Sequence, residues 1–404
     1  MVSLLLLAAA LWATLWWARV AWAGLRADRR LDALEEVAPE PPPGGWPGLS
    51  VIVAARDEAR GAERAVRSLL GQDYPELTVV AIDDRSSDGT AEILDRLAAE
   101  SARLAVRHLR RLPEGWLGKN HACAQGAEVG ASRWILFTDG DVVFAPSALT
   151  RAVAYAESRH LGHLAALPRL LAPGVLEKAF VATFAAHANV GFRTWELRDP
   201  GTAGFVGIGA FNLVRRDEYR RVGGHERVRF EAIDDAKLGM VLRRSGVRQG
   251  AIRAGALVSV RWNHGFLATW RGLLKNAFAA TEYRWPLALG AALGLGVAAL
   301  GPLAAAVAGG GAARVAGIGG LVLSTATVGA AVRRIGGGSG AEALLAPVAA
   351  PALGLAVLAS AALATWRGQV VWRGTAYPLE ALRRGCVRVR DWPSDSAVGW
   401  DRRW

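Results

Sequence analysis

Residues Ser3 to Ala23 read SLLLLAAALWATLWWARVAWA, about the length needed to cross a bilayer, with Arg19 as the single charge. A secretory signal would have a shorter apolar stretch and end in a small-residue cleavage site. Here Arg26, Arg29 and Arg30 follow instead, so residues 1–25 are expected to be an uncleaved anchor. Past residue 285 the pattern returns. Pro286 to Gly309, Val315 to Val332 and Ala343 to Ala364 are uncharged Ala/Leu/Val/Gly runs, which predicts a transmembrane region over 286–366. The two ends thus account for the 52% hydrophobic composition and the positive mean hydropathy.

The net charge of +12 suits a protein held against anionic lipid. No zinc-finger, homeodomain or RNA-binding signature accompanies it, and no nucleic-acid partner is expected. The positive-inside rule puts Arg26, Arg29, Arg30 and the domain after them in the cytoplasm, which implies a multi-pass protein of the cell (inner) membrane. The basic tail, residues 367–404, belongs on the same side, yet three spans after residue 285 would leave it outside. Two spans plus one interfacial or re-entrant segment resolve the conflict, and the sequence does not say which segment is the exception. Cys123 and Cys386 lie far apart and suggest neither a disulfide framework nor a zinc site.

Residues 26–48 read as a linker because APEPPPGGWPG cannot hold a regular helix or strand. Residues 49–265 form the central domain. Leu49 to Ala54 are a buried strand, and residues 59–71 place Ala62, Ala65, Val66, Leu69 and Leu70 on one helical face. LTVVAIDD is a second apolar strand ending on Asp83 and Asp84, and SSDGTAEILDRLAAE opens a helix with Asp88 or a neighbouring serine as N-cap. Strand, helix, strand, helix with apolar strands predicts an α/β fold, a mostly parallel sheet with helices on both faces. Residues 266–285 read as an interfacial segment rich in Trp and Arg.

In such sheets ligands gather beyond the carboxyl ends of the strands. Three polar clusters fall there: Arg56, Asp57 and Glu58; Asp83 and Asp84; and Asp139 and Asp141 of RWILFTDGDVVF. Each alone is as readily a turn or cap, but together they read as a nucleotide pocket. A carboxylate beside so much apolar sequence needs a partner. In a D-x-D on an extended chain both aspartates point to one side, and a hard divalent cation, Mg²⁺ or Mn²⁺, would neutralise them together with a substrate diphosphate.

These motifs, in order over roughly residues 47–285, resemble family 2 inverting glycosyltransferases of the GT-A fold. VIVAARDEA resembles the family's first strand and nucleotide-contacting turn, which implies Ala55, Arg56 and Glu58 at a nucleotide-sugar donor. AIDDRSSDGT implies Asp83 and Asp84 at a uridine. GWLGKNHACAQGAEVGASRWILFTDGDVVF implies Lys119 near the nucleotide or diphosphate, and Asp139 and Asp141 at the metal, Asp139 also touching the donor. GFVGIGAFNLVRRDEYRRVGGHE resembles the acceptor-side stretch, with Gly207 and Gly209. EAIDDAKLGMVLRRSG implies Asp235 as catalytic base, with Asp234 beside it. A carboxylate is what direct displacement needs to take the acceptor hydroxyl's proton, although either aspartate would also serve as a helix cap.

Processive synthases of this family carry Gln-x-x-Arg-Trp downstream of the base. Here VSVRW has valine in place of the glutamine and ends early, at Arg261 and Trp262. RWNHGFLATWRGLLKNAF instead resembles the membrane-edge segment of non-processive enzymes that glycosylate lipids, carotenoids or hopanoids. His264, Trp270, Arg271 and Lys275 face either the diphosphate or acceptor, or simply the interface. VVWRGTAYPL is similar to tails of such relatives. The resemblance therefore implies transfer of a single sugar from a UDP-linked donor to a lipid acceptor. A processive polysaccharide synthase is the alternative, and a catalytically silent membrane scaffold is the reading from another class.

Overall fold

The computed structural model describes residues 2–199 and 201–388. Helix α1 (Val2–Arg30) leads into β1 (Leu49–Ala55), α2 (Ala62–Leu70), β2 (Leu77–Asp84), α3 (Thr90–Glu100), β3 (Leu104–Leu109), α4 (Gly118–Val129) and β4 (Trp134–Asp139). The chain continues through β5 (Val143–Phe144), α5 (Ala148–Ser158), β6 (His163–Leu170), α6 (Val175–Phe192), β7 (Asn212–Arg215), α7 (Arg216–Arg221), α8 (Asp234–Arg244) and β8 (Gln249–Val260). Then come the short α9 (Phe266–Leu273) and α10 (Ala277–Ala280) and the long apolar α11 (Trp285–Ala308), α12 (Gly311–Ile335) and α13 (Ala346–Arg367). A hairpin, β9 (Gln369–Trp372) and β10 (Thr375–Pro378), and helix α14 (Leu379–Gly385) follow.

Eight strands form one sheet in the order β3-β2-β1-β4-β7-β6-β8-β5. The first four are parallel, as their apolar character predicts, while β7 runs antiparallel to both its neighbours. Alternation along β1 sorts its side chains to two cores. Val51 and Val53 pack with Val66, Leu69 and Leu94 on one face, and Ile52 packs with Ala122, Val241 and Leu242 on the other. The register aligns Ala55 with Asp83 and Ala54 with Asp139, so the polar clusters share one edge.

Some local expectations change. The anchor helix continues past residue 25 to Arg30. Part of the expected linker is docked: Leu34 is fully buried, and Arg151 donates to the Glu35 carbonyl. Asp88 does not cap α3, because Gly89 takes that position with a left-handed φ of 87°. The Asp88 carboxylate instead accepts from the N–H groups of Thr90 and Ala59 and ties the loop after β2 to the loop after β1. Strand β4 ends at Asp139, so Asp141 lies in the turn rather than on an extended chain. Both cysteines are buried and free.

Four helical segments are long and apolar enough to cross a membrane: α1, α11, α12, and α13 with the turn before it. The domain-side ends of α1 and α12 meet in an Arg334–Asp28 ion pair, and the Gly336 carbonyl after α12 accepts from Arg169 at 3.3 Å. The far ends of α11 and α12 join through Gly309 and Gly310. Helix α13 differs. Lys178 of α6 pairs at 3.0 Å with Glu342 just before it, and the hairpin just after it packs with Leu117 and Ala232 of the α/β domain. Along its length Trp270 donates to the Ala352 carbonyl and Ser360 to the Leu274 carbonyl. Both ends of α13 therefore rest on the domain.

Candidate active site

The loops after β1 and β2 are stitched together by short side chains. Asp57, held at a φ of 53°, accepts from the Ser87 N–H at 2.8 Å, while the Glu58 N–H donates to Thr90 Oγ1 at 2.9 Å. Glu58 and Ala55 then face the turn after β4: a methyl added to Gly140 would sit 3.5 Å from each. This packing brings Glu58, Asp139 and Asp141 to one side of the edge. Burial, followed by the charges of Asp139 and Glu58, pushes the Asp141 carboxyl up to about 7.

Lys119, in the first turn of α4, is the cation nearest Asp139. Its Nζ lies 2.8 Å from Asp139 and 3.6 Å from Asp234. Burial opposes ionisation of Asp139, but Lys119, with Lys275 and Arg373 beyond it, holds the carboxyl below its ordinary value. Burial pushes Asp234 and Asp235 the other way, and Lys119 opposes it. Both aspartates occupy the first turn of α8, whose amphipathic stretch was legible in the sequence.

Gly207 and Gly209 let this helix meet the loop ahead of β7. A Cβ on Gly207 would collide with the Asp235 carbonyl, and one on Gly239 of α8 would collide with the Val206 carbonyl. A Cβ on Gly209 would lie 2.8 Å from Asp139 Oδ2, 3.3 Å from Asp235 Oδ2 and 3.3 Å from Lys119 Nζ. Asp139 and Asp235 thus face one pocket across a glycine, and the Gly209 N–H donates to Asp235 at 2.6 Å.

The other sequence-derived residues divide. Asp83 and Asp84 stand at the edge with protein partners: Asp83 with His108 and the Ser86 N–H, Asp84 with Arg85 and, at 3.6 Å, Arg56. The buried Nε of Arg56 has no hydrogen-bond partner. Arg261, Trp262 and His264 have other neighbours or face outward. Arg261 bonds within its own loop, Trp262 lies 4.8 Å from the Phe184 ring, and His264 is exposed.

The C-terminal hairpin was missed. Arg373 pairs with Glu58 and donates to the Asp57 carbonyl, Arg56 donates to Thr375, and the Gly118 N–H donates to the Tyr377 hydroxyl. Beyond it the Val387 N–H donates to buried Glu231, and Lys237 donates to the Val387 carbonyl at 2.5 Å. The available signal was the VVWRGTAYPL stretch, which says nothing about where it docks.

For a cation, Glu58, Asp139 and Asp141 offer only oxygen, the donor type of Mg²⁺ and Mn²⁺, and such ions complete their shells with water and phosphate. Burial first, and then the neighbouring charges of Asp139 and Glu58, raise Asp141, which fits a place that binds positive charge. Among the described residues, the one trio with ligand atoms within 4.8 Å of each other is Cys123, His225 and Asp234. It fits a hard cation less well, because it offers a thiol and an imidazole beside a single carboxylate, and burial pushes that thiol up, toward its protonated form.

A mostly parallel sheet with an antiparallel flank and this acidic edge defines the GT-A class, the nucleotide-diphospho-sugar transferase architecture. Residues 47–275 match the family described as Glycosyltransferase like family 2, and the chain belongs to that family. Among curated proteins it is 25% identical over 231 residues to a 4,4'-diaponeurosporenoate glycosyltransferase of Staphylococcus aureus (strain USA300), covering 56% of this chain and 60% of that one. The counterpart from strain bovine RF122 is 27% identical over 193 residues, or 47% of this chain and 50% of that one. The chain thus spans at most about three fifths of the length of these curated relatives. Its fold is similar to that of a mannosyltransferase from Pyrobaculum calidifontis in complex with GDP-Man and Mn²⁺, with a TM-score of 0.58 and 20% identity, covering 90% of this chain and 99% of that one.

Proposed function

We propose that the protein is a membrane-bound inverting glycosyltransferase that moves one sugar from a nucleotide-sugar donor, UDP-linked, to a lipid-type acceptor at the cytoplasmic membrane face. The observation carrying this reading is the pocket at Gly209, where Asp139, Lys119 and Asp235 converge. That is the arrangement displacement at one anomeric carbon requires. The acceptor oxygen bonds to the anomeric carbon, the bond to the diphosphate oxygen breaks with its electron pair, and Asp235 takes the acceptor's proton. The Gly209 N–H orients the Asp235 carboxylate, and Lys119 supplies fixed positive charge beside the leaving group. Asp139 and Asp141 would hold Mg²⁺ or Mn²⁺, which when bound neutralises charge on the departing diphosphate.

A lipid acceptor is favoured by the apolar helices packed beneath the domain and by the name of the Staphylococcus relative. An acceptor dissolved in the bilayer meets a site held there at high effective concentration. Helices α1, α11 and α12 serve as the spans, while α13, whose two ends meet the domain, packs along α6, α9 and α11 without crossing; that course would keep the tail with the domain, as its charge requires. Membranes from cells expressing the protein should yield a new monoglycosylated lipid by mass spectrometry, lost in Asp139→Ala. Products longer than one or two sugars would sink the single-transfer reading.

A further inference from the structure

The hairpin β9–β10 reaches the acidic edge from the far end of the sequence. Its turn is Arg373–Gly374, with φ of 47° and 74°, between paired Trp372 and Thr375. Two left-handed residues in a two-residue loop make the turn type that favours Asn, Asp or Gly at its first position. Arginine there is a strained choice, and such strain is kept where the surroundings hold it. Docking alone does not need this residue, because Val370, Tyr377, Leu379 and Leu382 already bury against Leu117, Ala232 and Phe278. The guanidinium instead reaches over the turn after β1 to Glu58 and the Asp57 carbonyl.

Lys275, between α9 and α10, meets the same hairpin. Its Nζ lies 4.9 Å from the centre of the Trp372 ring. A ring face holds an ammonium without neutralising it. Among the described residues, no carboxylate lies within ion-pair distance of Lys275, although its charge and that of Arg373 both bear on Asp139 and Glu58. The hairpin therefore assembles a second cationic group, beside Lys119, over the edge where β1 and β4 end.

We propose that the C-terminal hairpin is part of the donor pocket, with Arg373 and Lys275 binding the diphosphate of the nucleotide sugar. This rests on the glycosyltransferase reading above. A planar guanidinium matches paired phosphate oxygens, and Lys275 supplies a point charge beside it. On donor binding Arg373 exchanges Glu58 for phosphate. The hydrogen bonds from Arg56 to Thr375 and from Gly118 to Tyr377 keep the hairpin in place during that exchange.

Calorimetry on the full-length protein in nanodiscs with Mn²⁺ tests this, using UDP, GDP, UMP and GMP as probes. Arg373→Ala and Lys275→Ala should each weaken binding of the preferred diphosphate by about tenfold or more, the size expected for a lost hydrogen bond to a charged group. Binding of the matching monophosphate should change far less, and Arg373→Lys should recover part of the loss. Unchanged diphosphate affinity in both alanine variants, or an equal fall for both nucleotides, overturns the proposal. If the unmodified protein binds a diphosphate and the variants bind it equally, only this assignment falls. If it binds none of the probes, the glycosyltransferase reading falls with it.

Discussion

The backbone N–H of Gly209 donates a 2.6 Å hydrogen bond to Oδ2 of Asp235, and the same glycine leaves room for Asp139 and Lys119 on its other sides. Asp235 is thus aimed by main chain rather than by a mobile side chain. Asp235→Asn keeps the shape and removes the base. Sugar transfer should fall by about 10²–10⁴-fold, with nucleotide binding retained. Transfer at the unmodified rate would exclude Asp235 from the chemistry.

Gly209 and Gly207, two positions apart, should fail differently. Gly209→Ala puts a methyl among functional side chains, so activity should drop with little change in melting temperature. Gly207→Ala meets the Asp235 carbonyl, which has no freedom to rotate away. Overpacking against backbone should destabilise the fold by about 1–3 kcal/mol. Thermal unfolding of both variants in detergent, beside a transfer assay, separates the two effects.

Acid should loosen the loop that carries these glycines. His163 is buried and neutral: it donates to Asn212 at 2.5 Å and accepts from Gln249 at 2.8 Å, and Gln249 in turn holds Val206 through its N–H and carbonyl. Burial pushes His163 down to about 4, against 6.5 for a free histidine. The unfolded chain therefore takes up the proton first. The contribution is complete above pH 6.5 and is lost as pH falls through 4, at about 1.4 kcal/mol per unit of difference. Melting temperature should decline over that window, and His163→Gln should flatten the decline. Identical slopes would remove His163 as its cause.

Chelation should abolish transfer, and Mg²⁺ or Mn²⁺ should restore it, if the oxygen-only set at Glu58, Asp139 and Asp141 binds a hard cation. Asp141→Ala should raise the metal concentration needed for half-maximal activity. Full activity in excess chelator would remove the cation from the proposal.

The proposed course of α13 sets an expected membrane sidedness. Single cysteines at Glu380 and Arg64, both exposed, should react with an impermeant maleimide from the same side, and one at Gly310 from the other. Labelling of Glu380→Cys together with Gly310→Cys would mean that α13 crosses the bilayer after all.

Much of this was readable in the residues. Apolar runs stopping on Arg56, Asp83 and Asp139 located the acidic edge, because a parallel sheet forces its strand ends together. The four apolar segments were equally plain. Hydropathy alone could not separate α13 from α11 and α12, since all three are long and apolar enough to cross a membrane; the contacts at both ends of α13 are what set it apart. Asp88 misled because one carboxylate can cap a helix or brace a neighbouring loop, and only the meeting of two loops decides. Arg261 and Trp262 are the part of the processive motif that the sequence keeps, and its spelling does not say that Trp262 packs 4.8 Å from the Phe184 ring. The hairpin's role depends on a contact between Arg373 and Glu58, which local patterns do not encode.

That long-range contact also sets an order of assembly. Glu58 leaves the ribosome early and Arg373 only after every apolar helix has been made, so a chain stalled partway through insertion presents an edge without its roof. Docking of the hairpin over Glu58 is thereby tied to synthesis of the whole helical region that precedes it.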